Sequence, residues 1–355
     1  MVTCIGETIG MKVLIVNNMA PFVWGGAEEL AVHLQKNLII AGHEAEILRV
    51  PFQWEPATRI PSQMLMARAF ELYNVDHVVA LKFPAYLIRH PQKTLWLLHQ
   101  YRQAYDLYDA GRTNLPPGKA GIDLQSMIKH ADNECFAESR KIFTNSEVTR
   151  QRLLKYNGFD AKVLLPPVND PELFPGDEMG GYIFAGGRIN SMKRQLLLVE
   201  ALAHTQTNVK LIIAGPPDGP EYATCLESAV ERYGLGDRVH LDLRFLPREV
   251  YAGYVNKASA VAYLPYDEDS LGYVAMEAAT AAKALITTTD SGGILGLVRH
   301  EETGWVSQPN AYNLANVMDE VFENSARTRM YGQSARILWK SMNINWPETI
   351  EALLK

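Results

Sequence analysis

Short apolar runs alternate with amphipathic stretches along most of the chain. The runs at 12–17, 77–81 and 94–98 are continuous rather than alternating, the pattern of strands buried on both faces of a parallel sheet, and further strands are expected at 45–50, 141–144 and 163–165. Between them the spacing predicts helices over 27–41, closed by Gly42, over 62–73, over 122–140, and over 147–156, capped by Ser146. Irregular loops are expected at 51–61, around Trp54, and at 107–115. Prolines and glycines cluster at 166–178, which reads as a boundary between domains. The rhythm then resumes, with strands over 182–185, 210–214, 239–245, 260–265 and 284–289. Helices are expected after Lys193 through 203 and over 273–283, and Trp346-Pro347 starts a last one that runs to the end. Strand and helix in alternation predict an α/β protein with parallel sheets. A length of 355 residues makes two domains the natural division. The expected parts are a patternless leader at 1–10, with Met11 a plausible alternative start, then 11–170 and 171–343, with the last helix at 344–355.

Ligands of parallel α/β sheets bind outside the carboxyl ends of the strands, so the loops that follow strands hold the candidates. The fullest is the stretch 260–293, a strand, helix and strand. Its first loop ends in Ser270-Leu271-Gly272, and Tyr273 begins the helix. Unpaired N–H groups and the positive end of the dipole at such a start suit a phosphate. Glu277 lies about one turn into that helix and leans back toward its start, so an anion site and a carboxylate share one lip. That combination suits a nucleotide, with phosphates on the amides and ribose hydroxyls on the carboxylate.

Other strand-end loops add to it. Gly186-Gly187-Arg188 follows one strand, with Lys193 close behind; both cations can reach one phosphate, though taken alone they read equally as surface charge. Gly215 ends the next strand, and Arg244 and Phe245 end the one after; Phe245 suits either stacking on a base or filling core. In the first half, Gly25-Gly26 opens a helix after the first strand, without the spacing of a dinucleotide fingerprint. His99 stands at the end of a strand.

Composition narrows the classes. Apolar content of 47% with 21% charged residues is that of an ordinary globular protein. A net charge of −6 argues against nucleic acid as a main partner. Three widely spaced cysteines, Cys4, Cys135 and Cys225, lack metal-ligand spacing and read as reduced thiols, which points to the cytoplasm. No run approaches a membrane span, and no export signal is evident. Lys82, Arg89, Lys93 and Arg102 read as a solvated face; weak peripheral contact with the inner face of a membrane, or with an anionic acceptor, is the alternative.

The stretch Asp269-Ser270-Leu271-Gly272-Tyr273-Val274-Ala275-Met276-Glu277 resembles the two-carboxylate motif of retaining glycosyltransferases of family four, the glycosyl transferases group 1. Gly-Arg-Ile followed by Lys193 is similar to that family's diphosphate-binding segment, Trp-Leu-Leu-His-Gln-Tyr-Arg to a strand end whose histidine meets the donor sugar, and 287–293 to another of its loops. Gly304-Trp305 resembles its turn near the end of the second domain. The resemblance covers nearly the whole chain and is most specific over 182–304. It implies the GT-B fold, two Rossmann-like domains with parallel sheets facing a central cleft, the last helix crossing back onto the first. It implies a retaining, metal-independent hexosyl transfer from a nucleotide-sugar donor, UDP-sugar favoured over GDP- or ADP-sugar, to a glycan or lipid-linked acceptor, as in the synthesis of a bacterial surface polysaccharide. In that reading Arg188, Lys193 and the amides after Gly272 meet the diphosphate and Glu277 the ribose. Asp269 and His99 orient the sugar, Arg244 and Phe245 lie by the base, and Gly25 and Gly26 face the phosphates. Domain closure about the hinge would exclude water. The chain departs from the pattern twice, with Asp269 where the family has Glu and Gly296 where it has another Glu.

Three other readings compete. Asp267-Glu268-Asp269 spells an acidic triplet of the kind that holds a divalent ion on a diphosphate. A nucleotide-sugar-binding protein without catalysis would explain the two departures. An epimerase of the same fold would leave the two-carboxylate motif without a use.

Overall fold

The computed structural model describes residues 10–355; Cys4 and nearly all of the expected leader lie outside the described residues. The chain divides into two compact units. One runs to Pro167 and takes in Ile344–Lys355; the other is Val168–Asn343.

In the first unit β1 (Lys12–Met19), α1 (Gly26–Ile40), β2 (Glu44–Pro51), α2 (Ile60–Arg68), β3 (His77–Lys82) and β4 (Lys93–His99) are followed by α3 (Asp106–Asp109), α4 (Lys119–Glu138), β5 (Lys141–Thr144), α5 (Glu147–Asn157) and β6 (Lys162–Val163). The six strands run in the order β2-β1-β3-β4-β5-β6, with parallel pairing throughout. Alternate residues of the continuous apolar runs feed two cores. Val16, Val78, Ala80, Leu95 and Leu97 face one side, while Ile15, Val79, Leu81, Trp96 and Leu98 face the other. The final helix α12 (Trp346–Leu354) closes the second of these cores with Ile350, Leu353 and Leu354, and the Thr94 hydroxyl donates to the Leu353 carbonyl at 2.8 Å.

The second unit repeats the plan with β7 (Tyr182–Gly186), α6 (Gln195–Leu202), β8 (Lys210–Ala214), α7 (Pro220–Arg232), β9 (Val239–Asp242), α8 (Arg248–Lys257), β10 (Ala260–Ala262), α9 (Tyr273–Thr280), β11 (Ala284–Thr288) and β12 (Gly304–Ser307), then α10 (Ala311–Glu323) and α11 (Ser325–Ser341). Its order is β12-β11-β10-β7-β8-β9, again parallel. The order reverses between β10 and β7, the place where a doubly wound sheet opens a crevice for a ligand.

Several expected boundaries move, for local reasons. The helix expected to reach 73 ends at Arg68, because Phe70, Leu72 and Val75 leave helical spacing to pack on the core. A short helix, α3, overlaps the start of the expected loop at 107–115. The strand expected over 239–245 stops at Asp242, whose carboxylate is taken by Arg244 at 2.6 Å. β10 ends at Ala262, short of Pro265, which has no N–H for the ladder.

Lys93 does not belong to the expected solvated basic face, on which Arg89 does stand. Lys93 is fully buried, donating to the carbonyls of Tyr86 and Ile88 at 3.1 Å each and to the Cys135 sulfur at 3.4 Å. Beside it, burial holds the Cys135 thiol up at about 11, and the thiol donates to the Tyr86 carbonyl at 3.0 Å. Asp132 is buried in the same cluster, accepting from the hydroxyls of Tyr86 at 2.9 Å and Tyr105 at 2.8 Å. Burial outweighs those two hydrogen bonds and raises its carboxyl to about 7. An aspartate raised in the folded state favours folding most where both states are protonated. The unfolded chain loses its proton first, so this contribution falls as pH rises from about 4 to 7. The stability difference between wild type and Asp132→Asn, read by urea denaturation, is therefore expected to move against wild type by a few kcal/mol across that interval and to be flat above it.

Candidate nucleotide site in the second unit

The loops after β7, β8, β10 and β11 meet at the carboxyl end of the second sheet. After β7 the chain makes Gly187-Arg188 and then a turn. The Asn190 side chain accepts from the Lys193 N–H at 3.0 Å, and Arg194 takes a left-handed backbone with φ 54°. An asparagine captured in this way competes with helix, and the helix expected to follow Lys193 starts at Gln195. Arg188 and Lys193 thus stand on a turn ahead of the helix and do not flank its first turn. Gly215, after β8, has φ 142°, and a Cβ there would lie 2.1 Å from the Gly187 carbonyl oxygen; only glycine lets these two loops touch.

After β10 the chain reaches Tyr263, Glu268, Asp269 and Gly272. Gly272 caps α9 with φ 79°, and a Cβ on it would sit 2.4 Å from the Tyr263 ring, so the close approach of this helix start to β10 requires glycine. The β7 loop comes alongside: a Cβ on Gly187 would be 3.4 Å from Val274, in the first turn of α9. The amides that open α9 and the cationic turn after β7 therefore flank one crevice, at the strand-order reversal.

The Lys193 ammonium donates to the Tyr263 hydroxyl at 2.7 Å and to Glu268 at 2.5 Å. Burial opposes its charge, but the oxygens of Tyr263 and Glu268 outweigh it and hold its pKa above the ordinary lysine value. Arg188 is more open and donates to Asp218 at 3.3 Å, which also receives the Asn190 amide at 2.7 Å. Asp269 is almost wholly buried, as is Glu277. Glu277 is paired with Arg248 at 2.6 Å.

Glu268, the middle of the acidic triplet, is thus committed to Lys193, and Asp267 stands on a strained turn with φ 44°. Among the described residues no group of three or more His, Cys, Asp or Glu is arranged to hold a metal ion. Phe245 is 68% exposed, which removes the core-filling option for its ring. Arg244 is also exposed and lowers the pKa of the Asp242 carboxyl through its hydrogen bond. Gly296 has no left-handed backbone, and a Cβ there would meet only Leu271 at 3.4 Å, so the backbone does not demand a glycine at this departure.

Gly25, Gly26 and His99 belong to the first unit. Gly25 is the extended cap of α1, with φ −159°, and Gly26 its first residue. His99 ends β4, with Nδ1 2.6 Å from the Gln100 carbonyl oxygen. Among the described residues no helix is long and apolar enough to cross a membrane.

Sequence reasoning assigns no role to Arg194 or Arg248. Arg194 bridges the loops after β10 and β11. It donates to the carbonyls of Leu264 at 2.8 Å and Pro265 at 2.9 Å, to the Thr288 hydroxyl at 2.8 Å, and as a fork to Asp290 at 2.9 and 2.8 Å. Its only signal is its place directly after Lys193. Arg248 gives none, because it opens a helix far from Glu277 in sequence.

Residues 174–337 match the family described as glycosyl transferases group 1. A D-inositol 3-phosphate glycosyltransferase from Xylanimonas cellulosilytica is 26% identical over 174 residues, 48% of this chain and 40% of that protein, so the match spans less than half of that relative's length. Among solved structures, HepE from Anabaena in complex with UDP and glucose superposes with a TM-score of 0.70 at 17% identity, over 96% of this chain and 98% of that one. Sucrose-phosphate synthase from Thermosynechococcus elongatus gives 0.76 at 17% identity, over 96% and 97%. The two parallel six-stranded sheets are those of the GT-B fold. The match to the glycosyl transferases group 1 falls within the second unit, the one that carries the crevice at the β7/β10 reversal.

Proposed function

We propose that this protein is a retaining glycosyltransferase that moves a hexose from a nucleotide-diphosphate sugar, UDP-sugar by preference, to a glycan or lipid-linked acceptor. The observation that carries the reading is the crevice at the β7/β10 reversal, flanked by the turn that bears Lys193 and by the amides of α9, with the buried carboxylates Asp269 before that helix and Glu277 within it. HepE, of like fold, is described with UDP and glucose, which favours a uridine nucleotide among the donors. Lys193 and Arg188, with the α9 amides, would stabilise the charge that develops on the departing diphosphate, an electrostatic contribution that needs no metal. Glu277 would take the ribose hydroxyls and Asp269 would orient the sugar. Phe245, exposed at the strand end beside Arg244, is free of the core and suits stacking on the base. Gly187 and Gly215 would let the backbone close on the phosphates, with Ser270, Leu271 and Tyr273 forming the lip. The parts of Gly25, Gly26 and His99 rest on the family resemblance alone. The division at 166–178 as a working hinge rests on its prolines and glycines together with that resemblance, cytoplasmic placement on the reading of the cysteines as reduced thiols, and a weak peripheral membrane contact on basic residues such as Arg89.

Calorimetric titration with UDP, GDP and ADP, with and without EDTA, tests the donor. Tight binding of UDP that EDTA does not change is expected. Dependence on a divalent ion would move the diphosphate to the acidic triplet, and no binding of any nucleotide would remove the transferase reading. An NMR assignment of the anomeric configuration of the transferred sugar tests retention, and donor binding without turnover would favour the non-catalytic alternative.

Glu268 supplies a separate prediction. Its carboxylate lies 2.5 Å from the ammonium that is to meet the diphosphate, so it competes with the donor. Glu268→Gln is expected to tighten UDP binding about two- to tenfold by relieving that competition. Weaker binding in the same titration would show that Glu268 positions Lys193 and does not oppose the donor.

A further inference from the structure

Glu277 is buried at 2% exposure, and a carboxylate in such a place is costly to keep ionised without a partner. Its partner is Arg248, the first residue of α8, with Nη1 2.6 Å from Oε1. The same guanidinium reaches in a second direction. Its Nη2 donates to the Asn169 carbonyl at 3.0 Å, its Nε lies 4.0 Å from the Asp170 carboxylate, and its plane covers the Phe174 ring at 4.9 Å. These three residues belong to the segment by which the chain enters the second unit, directly after Pro167. Asp170 holds a left-handed backbone there, φ 45°, and Phe174 is buried. Burial opposes the Arg248 charge, but Glu277 above all, with Tyr251 and Asp170, raises its pKa. The fork therefore stays charged, with one prong on the carboxylate and one on the entering segment.

We infer that Arg248 is a positioning residue for the donor's ribose: it keeps Glu277 ionised and aimed, and it makes that aim depend on the fold of segment 169–174. The inference rests on the proposed nucleotide site and adds to it the group that orients the ribose acceptor and the segment to which it is coupled. A planar fork can hold two oxygens in fixed relation, whereas a lysine offers a point charge and methionine only the packing of the stem. The chain entering the unit thus becomes part of ribose recognition without touching the nucleotide.

The test compares UDP with 2′,3′-dideoxy-UDP, which lacks the hydroxyls that Glu277 would accept, by calorimetry on the full chain. Wild type is expected to prefer UDP by about 10- to 100-fold, the range for hydrogen bonds to a charged group. Arg248→Met should bring UDP down to the level of the dideoxy ligand while leaving the latter within about twofold, because the diphosphate contacts are untouched. Arg248→Lys should fall between, since it restores the charge without the second prong. Equal weakening of both ligands in Arg248→Met would mark a general structural role and overturn the inference. A wild-type ratio in either variant would also overturn it, and if Arg248→Met does not fold, the lysine variant alone decides. Absence of discrimination in wild type would instead fault the assignment of Glu277 to the ribose.

Discussion

Lys193→Ala is expected to weaken UDP binding by about 10- to 100-fold, the loss of a charge-assisted contact in a largely desolvated place. The ammonium is held between the Tyr263 hydroxyl and Glu268, with its pKa above the ordinary lysine value. A lysine raised in this way keeps its proton through neutral pH and loses it only above its usual range, so the effect of the substitution should be constant from about pH 6 to 9. Removing the cation also leaves Glu268 beside the diphosphate without compensation, which adds repulsion to the lost attraction. Arg188→Ala should cost less, because Arg188 is half exposed and shares its charge with Asp218 at 3.3 Å. The double variant should lose less than the product of the two factors, since both cations would serve one diphosphate. Titration calorimetry at three pH values reads all of this. Unchanged UDP affinity in Lys193→Ala would remove the diphosphate from this crevice.

The fold was legible to the extent that burial leaves a continuous apolar run. β8 needed nothing beyond its own residues, and the run that becomes β4 was short by one residue at each end. Boundaries shift where tertiary packing decides the outcome. Phe70, Leu72 and Val75 leave helical spacing to pack on the core, so α2 ends at Arg68, and β9 stops at Asp242; neither end leaves a periodic trace. The surroundings of the proposed site residues are legible in the same uneven way. Gly215 declares itself because its backbone must approach the Gly187 backbone, and Gly272 because its left-handed turn lies against the Tyr263 ring, demands that select one residue type. The ionic partners do not. Lys93 looks like any surface lysine until its three buried acceptors are seen, and nothing near Glu277 in sequence points to Arg248. Charge pairing is a property of the tertiary structure, and a single sequence carries it only where the partners are neighbours.

Arg194→Ala is expected to destabilise the second unit by about 2–3 kcal/mol, short of the full cost of orphaning a buried charge because Asp290 is a third exposed. The guanidinium ties Leu264 and Pro265, after β10, to Thr288 and Asp290, after β11, so its loss frees both loops at once. Arg194 also holds Asp290 below the usual carboxylate range, despite the opposing effect of burial, and that depression should relax in the variant. For a unit of this size the change corresponds to a fall in Tm of about 5–10 °C by calorimetric scan. The backbone supplies a control, because Arg194 holds φ 54° and pays for a left-handed conformation that glycine adopts freely. Arg194→Gly loses the same contacts but sheds that strain, and should therefore be about 1 kcal/mol more stable than Arg194→Ala. If the two variants melt together, the left-handed turn is not what the side chain secures. If both melt with wild type, the bridge between the β10 and β11 loops contributes nothing to stability, and Arg194 must be judged by UDP affinity alone.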